Sequence, residues 1–115
     1  MGDIMSDKKL FVNYFITCVH NLVNFVKRYQ FDPEVIEQTI QIELNWKDYF
    51  YVVENDSLDF NLNDLMVCTN DLYKNIGRQL INKLNLHELN LDDDMINFRY
   101  EYTLIVNAIA NYLQY

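Results

Sequence analysis

DPEVIEQTIQIELNWKDYFYVV, residues 32–53, is the stretch on which the fold class turns. The alternation in TIQIEL and the β-favouring run Tyr49–Val53 permit a strand. Against that, Asp32 can cap a helix, Pro33 suits its first position, and Glu34 favours the positive end of its dipole. The Glu and Gln content is also helix-friendly. One strand cannot make a sheet, and no second one is evident, so the segment reads as a helix. Val35, Ile36, Thr39 and Ile40, with Leu44 or Trp46, supply its apolar face. Glu37, Gln38, Gln41 and Glu43 supply the polar one. Tyr49–Val53 reads as a packed connector into which this helix can continue, with Asn55-Asp56-Ser57 as a turn signal.

Working outward towards the N-terminus, Phe11, Phe15, Cys18, Leu22, Phe25 and Tyr29 recur in steps of three and four. This spacing predicts a helix from about Asp7 to Tyr29, with Ser6 as its N-cap. Towards the C-terminus, Asn61 or Asn63 can cap a third helix with the stripe Leu65, Cys68, Leu72, Ile76 and Leu80, closed by Leu84. Gly77 inside it costs about 1 kcal/mol relative to Ala, which points to close approach of a neighbouring helix. Residues 86–91 read as a loop with apolar anchors. Asn90 or Asp92 then starts a fourth helix, with Asp93 and Asp94 at its positive end and the stripe Met95, Phe98, Tyr102, Ile105, Ile109 and Tyr112. The expectation is an all-α chain: a single-domain antiparallel bundle of about four helices over residues 1–115, with an aromatic-acidic connector.

Composition agrees. Two Gly and one Pro in 115 residues give little of the punctuation a strand-rich domain needs. Half the residues are hydrophobic, enough for a core. The net charge of −8 opposes direct binding to nucleic acid or to an anionic membrane surface, and favours basic protein partners. The N-terminal MGDIMSDKK lacks a signal-peptide pattern, no apolar run reaches the roughly 20 residues of a membrane span, and two unclustered Cys fit a reducing compartment. A cytoplasmic location is expected.

No catalytic constellation is evident, and a non-enzymatic role is expected. Asp92, Asp93 and Asp94 diverge around a helix start and read as cap and dipole residues rather than a metal site. Glu34, Glu37 and Glu43 have no matching acidic motif that would converge on magnesium. Cys18 and Cys68 fall on apolar stripes and are expected to be buried, while His20 and His87 read as surface or satisfied polar residues. No metal or cofactor is expected. With nine Tyr and seven Phe, many aromatics must be core. Tyr14, Tyr29, Tyr73, Tyr100, Tyr102 and Tyr112 are expected to pack with their hydroxyls at the surface.

The richest candidate for binding is Trp46–Asp64, WKDYFYVVENDSLDFNLND, in which aromatics and carboxylates interleave with no base after Lys47. Asp48, Glu54, Asp56, Asp59 and Asp64 can pair with Lys or Arg of a partner, with Tyr49 and Tyr51 as anchors. WKDYFYVVEND, NDLMVCTNDLYKNIGRQL and INFRYEYTLIVNAI resemble a group of small helical bacterial domains. Asp71, Leu72, Tyr73 and Ile76, then Phe98, Arg99, Tyr100, Glu101 and Tyr102, match its motifs, although the Trp-rich last helix of that group is absent here. In type, this small acidic Asn- and Tyr-rich chain is similar to bacterial immunity proteins of the contact-dependent growth inhibition and colicin systems. That resemblance implies tight inhibition of a cognate toxin, often a basic nuclease. The alternative is a viral or phage accessory protein that blocks a host factor by acidic mimicry or by binding through a helical groove.

Overall fold

The computed structural model describes residues 7–53, 60–86 and 92–113. The chain is all-α: α1 (Asp7–Arg28), α2 (Pro33–Val52), α3 (Phe60–Asn85) and α4 (Asp93–Leu113). No strand occurs among the described residues. It divides into two compact units, Met1–Leu65 and Met66–Tyr115, and the boundary falls within α3. Ser6, Asn55–Ser57, His87 and Asn90, for which cap, turn or surface roles were expected, lie outside the described residues.

In the first unit α1 and α2 form an antiparallel pair. Tyr29 and Gln30 carry the turn. Phe31 N–H bonds the Val26 carbonyl at 3.0 Å, and Gln30 N–H bonds the Lys27 carbonyl at 3.2 Å. This is a Schellman ending, with Gln30 in the left-handed region at φ 53°. Phe31 and Val26, the positions at which such an ending places apolar residues, are both buried. Pro33 then occupies the first turn of α2, although the Asp32 side chain makes no capping bond. The pair's register is set by aromatics. The rings of Phe15 and Trp46 stack at 4.7 Å with 13° between their planes. Both side chains are sealed from solvent, so they bring large area burial as well as ring contact.

α2 continues helically to Val52, through the segment that propensity alone would make extended. Its inward series is Val35, Thr39, Glu43, Trp46 and Tyr49, followed by buried Val53, at spacings of three and four. This corrects the expected place of Glu43 and decides for Trp46 over Leu44 on the apolar face. Glu43 points inward, and Leu44 is 47% exposed. Thr39 belongs to the buried face because its hydroxyl donates to the Val35 carbonyl at 2.8 Å and leaves only the methyl to pack.

In the second unit α3 buries Met66, Thr69, Leu72, Tyr73, Ile76 and Leu80. Cys68 is exposed, which corrects the expected stripe, and only Cys18 of the two thiols is buried. Two interleaved series have helical spacing here. Leu72, Ile76 and Leu80 of the expected stripe are buried, and Met66, Thr69 and Tyr73 are buried beside them in place of Cys68. Tyr73, expected with its hydroxyl at the surface, is instead 1% exposed and stacks on Phe98 of α4 at 6.2 Å. Close approach at Gly77 is observed: a Cβ there would lie 3.2 Å from the Tyr102 ring. Helix α3 starts at Phe60, so Asn61 and Asn63 lie inside its first turns rather than at a cap. Asp92 is the cap of α4, its Oδ1 accepting the Met95 N–H at 3.0 Å. Met95, Phe98, Ile105 and Ile109 are buried as their spacing predicts.

Candidate protein interface

The outward face of α2 follows from its inward one. Glu34, Glu37, Gln41, Leu44, Asp48 and Tyr51 succeed one another at alternating steps of three and four, and Val52 sits beside Tyr51. Along this ridge every residue but Leu44 and the two at its end is acidic or an amide, and none is cationic. Tyr51 is 78% and Val52 71% exposed, large values for apolar side chains held on a regular helix. Three carboxylates, an exposed phenol and two aliphatic side chains therefore share one surface. Such a surface offers contact area of low entropic cost together with one sign of charge.

The expected binding residues divide accordingly. Asp48 and Tyr51 are exposed and lie together on the outer face of α2. Asp64 is exposed on α3. Tyr49 is buried, 5% exposed, with the Lys8 ammonium 5.9 Å from its ring centroid. Its place three residues after Trp46 puts it on the inner face, so it is a core ring rather than a surface anchor. Glu54, Asp56 and Asp59 lie outside the described residues. Sequence reasoning passed over Leu44 and Val52 as surface residues. The spacing of Val35, Thr39, Trp46, Tyr49 and Val53 carried the signal, since any residue out of phase with that series faces outward.

A polar cluster joins α1 to α2 beside the Phe15–Trp46 stack. The Glu43 carboxylate accepts from Lys47 Nζ at 2.6 Å and lies 3.2 and 3.3 Å from His20 Nδ1. Burial alone would raise the Glu43 pKa, but hydrogen bonds and charge from Lys47 and His20 outweigh it and hold the carboxyl below its ordinary 4.5. The cluster lets an acid occupy the inner face of α2. Among the described residues no group of three or more His, Cys, Asp or Glu side chains could hold a metal ion. No described helix is long and apolar enough to cross a membrane.

The described residues make a small, acidic all-α chain whose α2 exposes Leu44, Tyr51 and Val52 among carboxylates. Compared with protein-family models, curated proteins and solved structures, the chain matches none.

Proposed function

We propose that this protein acts by binding rather than by catalysis, as an immunity-type inhibitor that neutralises a basic toxin, a nuclease domain being the chemistry that fits best. The observation that carries the reading is the outer face of α2, where Tyr51, Val52 and Leu44 stand exposed among Glu34, Glu37 and Asp48, and the neighbouring cation, Lys47, is paired with Glu43. An enzyme that grips phosphates presents Lys and Arg. An acidic ridge with an aromatic anchor can occupy that site in place of the substrate, and opposite charge speeds the encounter. Asp48 and Tyr51 are the central residues, and Glu54, Asp56, Asp59 and Asp64, which follow in the chain, belong to the same proposal. Action in the cytoplasm accompanies this reading.

The test is capture from a lysate of the source cell, with wild-type protein and a Glu34→Gln/Glu37→Gln/Asp48→Asn variant as parallel baits. One basic protein retained stoichiometrically by the wild type, released by high salt, and inhibited in its own nuclease assay supports the reading. Association that is equally fast for both baits, or a retained partner that is acidic, contradicts it.

A further inference from the structure

We propose that His20 is a phosphoryl-acceptor site, its Nε2 taking the group from a small reactive donor in which phosphorus is bonded to nitrogen. The site lies on the α1–α2 pair and uses neither the ridge on the outer face of α2 nor the partner proposed for it. His20 Nδ1 lies 3.2 Å from Glu43 Oε1 and 3.3 Å from Glu43 Oε2. Burial raises the Glu43 pKa, but Lys47 and His20 outweigh it, so the group is an ionised carboxylate at neutral pH. A carboxylate only accepts hydrogen bonds, so the ring nitrogen that faces it carries the proton. In the neutral ring this fixes the tautomer: Nδ1–H donates to Glu43, and Nε2 keeps the lone pair. The His20 side chain is 58% exposed, and no described residue hydrogen-bonds Nε2. An oriented imidazole with an open, unprotonated nitrogen is a nucleophile.

The surroundings select an anionic electrophile. Lys47 Nζ is 2.6 Å from Glu43 Oε2 and its side chain is 46% exposed, so a cation stands beside the ring, ready for phosphoryl oxygens. Carboxylate and ammonium offset each other, and the cluster presents no net negative charge to a donor. The exposed residues of α1 within about one turn of His20, namely Thr17, Asn21 and Asn24, are uncharged. The carboxylates on the outer face of α2 would instead repel the same donor. The step balances without a separate base. The Nε2 lone pair forms the bond to phosphorus, and the P–N bond of the donor breaks with its electron pair leaving on the amine. The ring becomes a phospho-imidazolium that keeps its Nδ1 proton, and the Glu43 carboxylate bonded to that proton offsets the new positive charge. Glu43 therefore acts through the ring, as a positioning residue.

The experiment treats the full chain with potassium phosphoramidate in mildly alkaline buffer, folded and in denaturing urea, and follows it by intact mass and by phosphorus and nitrogen NMR. The expected product carries one phosphoryl group on Nε2 of His20, labile in acid and stable in base. It should form at least about tenfold faster in the folded chain than in urea, because only the fold brings Glu43 to the ring. His20→Gln should remove that product. Glu43→Gln keeps a carbonyl acceptor but loses the charge, and should slow the reaction roughly tenfold. Unchanged helical circular dichroism shows that both variants fold. Equal rates in the folded and unfolded chain overturn the proposal, as does phosphorus on Nδ1, reaction confined to His87, or a Glu43→Gln rate equal to that of the wild type.

Discussion

The two faces of α2 carry almost the same kinds of residue and do opposite things. Inward lie Val35, Thr39, Glu43, Trp46 and Tyr49; outward lie Glu34, Glu37, Gln41, Leu44, Asp48 and Tyr51. Each face has aliphatic, aromatic and acidic members. What separates them is phase. A tyrosine two residues from another falls on the far side of the helix, so Tyr49 is core and Tyr51 is surface. The inner acid shows the cost of the wrong side: Glu43 is tolerated there only with Lys47 and His20 on its carboxylate. The outer acids have no such requirement and are free to give the surface its sign.

If the comparison holds, inner substitutions change stability and outer ones change binding. The largest effect is expected from Trp46→Ala, which removes the ring stacked on Phe15 and leaves a cavity in the sealed part of the α1–α2 pair. A loss of about 3–5 kcal/mol in urea unfolding is predicted, and a loss under 1 kcal/mol would show that the stack contributes little. Tyr51→Ala is the matched outer change. Stability should move by less than about 0.5 kcal/mol, while affinity for the proposed toxin partner falls roughly 30-fold, the effect of a central anchor.

Glu43 sharpens the comparison through pH. Its carboxyl is more acidic in the fold than the ordinary 4.5, so the stability it contributes is fully present above that pH and is lost as pH falls through the lowered value. Glu43→Gln should cost about 1 kcal/mol at neutral pH and flatten the acid limb of the stability profile, as followed by thermal melts from pH 3 to 7. An acid limb of unchanged slope would remove Glu43 from the account. The smallest effect belongs to the turn that brings the two helices together. Gln30 holds φ 53°, a region where a side chain is strained and glycine is not. Gln30→Gly should therefore raise stability by about 0.5–1 kcal/mol.

How much of this was legible in the residues differs from helix to helix. α1 and α4 could be read almost to their ends, because Phe15, Cys18, Leu22 and Phe25, and Met95, Phe98, Ile105 and Ile109, are apolar at every step of one series. α2 was harder. Glu43 and Thr39 interrupt its buried series with polar atoms: Lys47 and the Val35 carbonyl, each four residues away, are local partners, but His20 on α1, which completes the surroundings of Glu43, is not visible in local sequence. α3 offered two series of equal spacing, and the choice between Cys68 and Thr69 as the inward residue rests on where Tyr73 finds Phe98, a contact made across the chain. Gly77 was readable as a close approach, but not that Tyr102 would be the side chain to fill it. At the interface, composition pointed to acids and aromatics after Trp46, and it could not say which aromatics turn inward until α2 was known to run on to Val52.

The most direct test of the central claim is hydrogen–deuterium exchange of this protein, alone and saturated with the partner that capture identifies. The account predicts that binding slows exchange in the second half of α2, residues 44–52, and leaves α4 as it was. Protection confined to α3 or α4, with α2 exchanging at its free rate, would contradict it.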